Sequence, residues 1–219
     1  IQALKDSGQY ENTLVTFISD NGGPTMNGVT VNGSSNGPLR GSKRTTLEGG
    51  IRVPFLVSWP ARLKPAAYQP MVSQLDLHAT ALAAAGATPE AAAKIEGANL
   101  LPYLTGQNQA APHDALYWRF GEQMAVRVGD WKLVRYDTNA DTNAGKKAPV
   151  SAVKLYDLAN DLHEDKDLSA ERPEKIKELQ ARWDEWNQAN VKPLWGSGGG
   201  DNDGPEPGLN KKGKKKAAK

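Results

Sequence analysis

Two polar stretches hold the residues whose types and spacing could do chemistry. The first is Asp20-Asn21-Gly22-Gly23, which follows the apolar run NTLVTFIS at residues 12–19. A carboxylate beside an amide oxygen suits a hard cation such as calcium or magnesium, and glycines let the backbone approach closely. The alternative is a plain turn, because Asn-Gly is a strong hairpin signal. A cation needs more oxygens than two residues supply, so this stretch alone leaves both interpretations open.

The second stretch is GPLRGSKRTTLEGGIRVP, residues 37–54, which combines glycines and hydroxyls with Arg40, Lys43 and Arg44. It lacks the phosphate-loop pattern, because the spacing is wrong and Lys43 is followed by an arginine. What remains is either a loop that favours an anion or a solvated basic loop.

The elements around these stretches predict an α/β layer. Residues 13–19 and 53–60 are apolar runs typical of strands buried on both faces of a parallel sheet. Asp20 would then lie at the carboxyl end of its strand, where open α/β sheets bind ligands. The connection at 22–46 is too long for an ordinary loop, which favours function or disorder. Residues 72–87 predict a helix that Ser73 caps and Gly86 ends.

The pattern changes near residue 112. Residues 115–120 and 124–136 alternate apolar and polar side chains, which predicts an antiparallel hairpin with one covered face. A further strand at 153–158 and an amphipathic helix at 171–189 complete a small second unit. We therefore divide the chain into three segments: residues 1–110 in an α/β domain, 111–195 in a small α+β subdomain, and 196–219 as a disordered Gly- and Lys-rich tail, which could bind polyanions weakly.

Composition sets outer limits. The chain has 219 residues with Lys+Arg 27, Asp+Glu 25 and no cysteine, which excludes disulfides, thiolate metal sites and a cysteine nucleophile within it. No run is long and apolar enough to span a membrane. The sequence starts at Ile1, inside a predicted helix that ends near Gly8. We therefore expect a fragment of a longer protein, with any targeting signal upstream.

An ordered series of motifs carries a family resemblance. TLVTFISDNGG and NGPLRGSKRTTLEGGIRVPFLVSWP are followed by MVSQLDLHATALAAAGA, IEGANLLPYLTG, AVRVGDWKLVRY and KLYDLANDLHEDKDL. Over residues 1–190 this series resembles the second half of type I, formylglycine-dependent sulfatases, especially the arylsulfatase and N-acetylgalactosamine-6-sulfatase type. The resemblance implies an α/β fold: the C-terminal part of an alkaline-phosphatase-like mixed sheet flanked by helices, plus a small antiparallel sheet with one packed helix.

The resemblance also implies roles for individual residues. Asp20 and Asn21 would ligate calcium, and Lys43 would contact the sulfate as a catalytic residue. Arg44 lies beside it as a further substrate contact, and Trp118 and Arg119 end a strand where they could line a substrate cleft.

The rest of such a site is expected elsewhere. The formylglycine, made from Cys or Ser in a C/S-x-P-x-R motif, the other calcium carboxylates, the catalytic histidines and a second lysine would come from an N-terminal half outside these residues. We expect His78, His113 and His163 to be structural or exposed.

The expected function is hydrolysis of a sulfate ester of an aryl compound or a carbohydrate, with a periplasmic or extracellular location. The expected partner is a sulfated small molecule or glycan, and no nucleic acid. Two alternatives stay open: a non-catalytic sulfatase-like remnant, and a phosphatase or phosphonate hydrolase of the same superfamily. Upstream sequence would separate them, because each class needs its own nucleophile.

Overall fold

The computed structural model describes residues 1–26, 32–87, 94–142 and 149–191. Its strands are β1 (Val15–Ile18), β2 (Phe55–Ser58), β3 (Ala115–Phe120), β4 (Gln123–Val128), β5 (Trp131–Arg135) and β6 (Lys154–Asp157). Its helices are α1 (Gln2–Asp6), α2 (Glu48–Ile51), α3 (Asp76–Ala84), α4 (Leu101–Leu104), α5 (Asn139–Thr142) and α6 (Pro173–Gln188), and a 3₁₀ turn covers Tyr10–Asn12. None of these described helices combines the length and the apolarity needed to cross a membrane.

Strands β1 and β2 form a two-stranded antiparallel ribbon. The expectation of parallel strands buried on both faces is therefore wrong for this pair. Phe17 lies opposite Leu56, and these side chains are 65% and 57% exposed. An apolar run predicts a strand, but it does not specify the direction of the neighbouring strand or what covers each face.

The helix predicted at 72–87 is shorter than its pattern. Helix α3 begins at Asp76, whose Oδ2 accepts a hydrogen bond from Ser73 N at 2.7 Å, so Ser73 lies before the helix and is not its cap. The end is as predicted: Gly86 adopts φ +67°, and its N–H donates to Ala83 O at 3.1 Å. A left-handed residue at this position favours glycine.

The second sheet, here called the small sheet, has the antiparallel order β3-β4-β5-β6. Its turns at Gly121 (φ +59°) and Gly129 (φ +57°) need the left-handed region, which glycine adopts without cost. Helix α6 packs on one face through Leu179. The predicted hairpin, the strand near 153–158 and the amphipathic helix are all present.

The small sheet is covered on both faces, not on one as predicted. One face contributes Met124, Val126, Leu133 and Leu155 to the core under α6. The other contributes Ala125, Val134, Tyr136 and Tyr156 to a core around Leu47, which comes from the long loop before β2. The domain division at 110/111 stays a prediction, and the predicted tail at 196–219 lies outside the described residues.

Candidate functional site

The carboxyl end of β1 is hydrogen-bonded to the segment that carries Lys43, here called the lysine loop (residues 36–50). Gly22 N donates to Gly50 O at 3.0 Å, and Lys43 N donates to Gly23 O at 3.1 Å. Gly22 must be glycine, because a Cβ there would lie 1.7 Å from Gly49 O. The structure therefore brings the predicted metal ligands and the predicted sulfate-binding lysine to one edge.

Polar side chains hold the lysine loop in shape. The Asn36 side chain accepts from Gly23 N at 2.7 Å and donates to Gly23 O and Gly41 O, both at 2.9 Å. Ser42 Oγ accepts from Thr25 N at 2.8 Å. The sequence favoured either a functional role or disorder for this long connection. Its described part is held by hydrogen bonds and is not disordered.

Asp20 and Asn21 lie at the rim of this edge, and Asn21 is half-buried. Asp20 is exposed, with Oδ1 accepting from Asn21 N at 3.0 Å. The backbone below is fixed, because Gln74 Nε2 donates to Ser19 O at 3.0 Å and to Asp20 O at 2.9 Å. A carboxylate and an amide oxygen fit a hard cation such as calcium as part of its ligand set. Within the described ranges, no three His, Cys, Asp or Glu side chains come together as a metal site.

Lys43 lies at an exposed turn of the lysine loop, between the buried residues Ser42 and Thr45. The next residue, Arg44, has φ +76°, and its carbonyl oxygen accepts from Gln123 Nε2 at 2.8 Å. Lys43 is thus carried on a hydrogen-bonded backbone, and its side chain is exposed.

Trp118 and Arg119 have protein partners. Trp118 packs against the core around Leu47. Arg119 donates from Nη1 to Asn187 Oδ1 at 2.6 Å and from Nη2 to Val191 O at 2.8 Å, which ties β3 to the end of α6. Their contact with substrate, like that of Arg44, stays a prediction.

Arg40, one of the three basic residues of the lysine loop, is directed inward. Its guanidinium pairs with Asp141 and donates to Tyr136 Oη at 2.7 Å and to the carbonyl oxygen of Glu164. Burial alone would lower the pKa of Arg40, but the hydrogen bonds to Asp141 and Tyr156 raise it above its usual range. Arg40 is therefore a permanent cation already paired within the protein.

A buried ionic group escaped the sequence analysis. Lys132 Nζ lies 2.9 Å from Glu48 Oε1 and 2.8 Å from Glu164 Oε1, and these side chains are at most 2% exposed. Arg52 Nε lies 2.6 Å from the second oxygen of Glu48. The alternation of β5 offered a signal, because it puts Lys132 on the same face as the apolar Val134.

The two carboxyl groups respond differently to this environment. Burial would raise the pKa of Glu48, but Lys132 and Arg52 outweigh it and lower that pKa to about 2. For Glu164, burial prevails over Lys132 and raises the pKa. The contact of Glu164 Oε1 with Lys132 is close but is not aligned as a hydrogen bond, since Oε1 has no hydrogen-bond partner among the described residues.

The histidines lie where a structural or exposed role was predicted. His113 Nε2 is 2.8 and 2.9 Å from the two carboxylate oxygens of the buried Asp76. His163 is exposed, with Nδ1 2.8 Å from Asp165 Oδ1, and His78 is exposed on α3.

One literal match to the nucleophile motif lies within the chain, although the motif was expected only outside it. Residues 58–62, SWPAR, spell S-x-P-x-R. Ser58 pairs with Val15 at the opposite end of the β1–β2 ribbon from Asp20. Val15 and Asp20 are five residues apart, and at about 3.3 Å per residue an extended chain separates them by roughly 16 Å. Ser58 therefore does not fit the role of a nucleophile beside Asp20 and Lys43.

Comparisons with known proteins point to one family. The family model described as Sulfatase matches residues 1–87. Arylsulfatase A of Homo sapiens is 35% identical over 182 residues, which cover 76% of this chain and 35% of that protein. N-acetylgalactosamine-6-sulfatase of Homo sapiens is 38% identical over 133 residues, which cover 60% of this chain and 25% of that protein.

A solved structure shows the same likeness. Ps i-CgsB in complex with k-i-k-neocarrahexaose superimposes with a TM-score of 0.72 and 30% identity, over 90% of this chain and 41% of that one. The fold is that of an alkaline-phosphatase-like α/β protein. The chain belongs to the sulfatase family, of which it matches a C-terminal portion, and it spans 35% and 25% of the length of the two human relatives.

Proposed function

We propose that this chain contributes part of the active site of a sulfuric ester hydrolase. Asp20 and Asn21 supply oxygen ligands to calcium, and Lys43 contacts the sulfate. The observation that supports this most strongly is the pair of backbone hydrogen bonds between the end of β1 and the lysine loop, Gly22 to Gly50 and Lys43 to Gly23. They bring the chain segments that carry these three residues together, which supports the proposal.

The charges at this edge suit sulfuryl transfer. In that reaction negative charge develops on the equatorial and leaving oxygens, so catalysis depends on positioning and on cationic groups fixed in advance. Lys43 is an exposed ammonium on a backbone that is hydrogen-bonded on both sides. Calcium, when bound, would neutralise further charge on the sulfate. Asp20 and Asn21 would hold that calcium through a carboxylate and an amide oxygen.

The remaining groups are assigned outside this chain. Six to eight oxygens normally surround calcium, and the two proposed ligands supply only part of that set. Ser58, the only serine in an S-x-P-x-R pattern, lies at the wrong end of the ribbon. We therefore place the formylglycine nucleophile and the other calcium ligands on residues that the present sequence does not contain.

The proposed substrate is a sulfate ester of an aryl compound or a carbohydrate. The family supports the sulfate ester, and the complex of Ps i-CgsB with k-i-k-neocarrahexaose supports the carbohydrate. An open cleft of about 390 Å³ lies along the lysine loop, and Thr25, Asn36, Arg40 and His163 are among its lining residues.

Lys43 provides the sharpest test. Loss of one electrostatic contact made in the transition state costs about 2.7–4 kcal/mol, or roughly 100- to 1,000-fold in rate. We expect Lys43→Ala to lower kcat by that factor in the intact protein, with an aryl sulfate as substrate and an unchanged melting temperature. Lys43→Arg should recover only part, because a planar guanidinium does not replace a compact ammonium.

Arg44→Ala is the matched control and should cost much less. A larger loss for Arg44→Ala than for Lys43→Ala would place the sulfate on the other residue. For the metal, Asp20→Ala should lower both calcium content and activity, and retention of both would exclude Asp20 as a ligand. An intact protein that binds sulfate esters without turning them over would be the non-catalytic relative.

A further inference from the structure

Residues 44–48 of the lysine loop rest on the small sheet. Leu47 is fully buried in the core formed with Tyr136 and Tyr156 of that sheet. The residues next to Leu47 add polar contacts with the same sheet. Lys43 therefore lies between two supports, the end of β1 on one side and the small sheet on the other.

Gln123 makes the contact nearest to Lys43. It is 5% exposed at the start of β4. Its Nε2 donates to Arg44 O at 2.8 Å, and its Oε1 accepts from Asp137 N at 3.0 Å, so both ends of the amide are used. Arg44 has φ +76°, a conformation that non-glycine residues avoid unless their surroundings impose it. The hydrogen bond from Gln123 holds the peptide in this conformation one residue beyond Lys43.

Two further contacts follow along the loop. Thr46 Oγ1 donates to Arg135 O of β5 at 2.9 Å, and this side chain is buried. Glu48 is held at both ends: its carboxylate by Lys132 at 2.9 Å, and its backbone N–H by Glu164 Oε2 at 2.6 Å. Three successive attachments within five residues fix the backbone that carries Lys43.

We propose that the small sheet sets the position of Lys43, with Gln123 and Thr46 as positioning residues for the reaction. This inference rests on the proposed function. Neither residue touches the sulfate: Gln123 acts through the carbonyl of Arg44, and Thr46 acts through the loop backbone. A catalytic group that is displaced by about an ångström loses much of its rate contribution, so removal of either contact should lower kcat.

The primary variant is Gln123→Met, which keeps side-chain length and removes both hydrogen bonds. We expect kcat for an aryl sulfate to fall roughly 3- to 10-fold with KM within about twofold, the scale of one lost hydrogen bond. Thr46→Val, which keeps shape, should act in the same direction. The matched control is Gln180→Met, because among the described residues the Gln180 side chain bonds to Asp184 on α6 and to no part of the lysine loop. It should leave kcat unchanged.

A double-variant cycle separates positioning from general stability. If Gln123 acts through Lys43, adding Gln123→Met to Lys43→Ala should cause no further fall in kcat. The same fold-loss in both backgrounds would overturn the inference, as would a Gln123→Met enzyme indistinguishable from Gln180→Met.

Amide hydrogen exchange of the intact protein measures the attachment of the lysine loop without requiring enzymatic activity. Gln123→Met and Thr46→Val should speed exchange in residues 40–48 but not in α6, whereas Gln180→Met should leave residues 40–48 unchanged. Unchanged exchange at 40–48 in Gln123→Met would refute the attachment itself. If the wild-type protein hydrolyses no sulfate ester while exchange responds as expected, the proposed function fails and the structural attachment stands.

Discussion

Replacing Lys132 by methionine tests the buried ionic group that joins the lysine loop to the small sheet. The ammonium contacts Glu48 Oε1 at 2.9 Å and Glu164 Oε1 at 2.8 Å, and no partner is more than 2% exposed. Removal of one partner from a buried pair costs about 3–5 kcal/mol, because a charge is left without compensation. Glu48 keeps Arg52 at 2.6 Å, so most of the cost should fall on Glu164.

The pH dependence of this cost follows from Glu164. Burial already raises the pKa of Glu164 while Lys132 lowers it, so loss of Lys132 should raise that pKa further. When the pKa of a carboxyl group is higher in the folded than in the unfolded protein, its stability contribution is fully present at a pH below the unfolded pKa. That contribution is lost as pH rises through the folded pKa. Lys132→Met should therefore destabilise the protein more at pH 8 than at pH 5.

The assay is urea unfolding of the intact protein, followed by tryptophan fluorescence at both pH values. Lys175→Met is the control, because Lys175 pairs with Glu178 on the surface of α6 and exposed pairs contribute about 0–1 kcal/mol. Lys132→Met/Glu164→Gln should recover part of the loss, since it removes the uncompensated charge. If Lys132→Met loses no more free energy of unfolding than Lys175→Met, or loses less at pH 8 than at pH 5, the reasoning is wrong.

Two further predictions concern the same region. Glu48 has a folded pKa of about 2, below the ordinary value of 4.5, so its contribution is present above pH 4.5 and is lost as pH falls toward 2. At about 1.4 kcal/mol per unit this contribution is on the order of 3 kcal/mol, and the difference in free energy of unfolding between wild type and Glu48→Gln should shrink between pH 6 and pH 3. A difference that does not change with pH would contradict this origin. Gly22→Ala should lower kcat by roughly 100-fold and reduce bound calcium, because its Cβ would lie 1.7 Å from Gly49 O and must separate β1 from the lysine loop. Gly37→Ala, whose Cβ would meet only Ser35 Oγ at 3.5 Å, should change neither, and equal losses in the two variants would refute the argument.

Much of the fold is predictable because local pattern determines it. Alternation of apolar residues and the turn at Gly129 specify β4 and β5, and helical spacing specifies α6. The predicted start of α3 was too early: the carboxylate of Asp76 accepts from Ser73 N, just before the helix, and from Ala98 N, 22 residues further along the chain. The predicted parallel direction of β2 relative to β1 was wrong, because an apolar run carries no information about its partner strand.

By itself, the sequence determined the candidate chemistry: Asp20 and Asn21 at the end of an apolar strand, and Lys43 in a glycine-rich loop whose motifs resemble one family. Only the tertiary structure decided what holds Lys43 in place. Glu48 contacts Lys132 across 84 residues of sequence, and Glu48 N bonds Glu164 across 116. Secondary-structure patterns extend over a few residues, whereas an ionic contact depends on which buried faces meet. Charges that lie far apart in the sequence become the attachment of the lysine loop when Leu47 covers the small sheet.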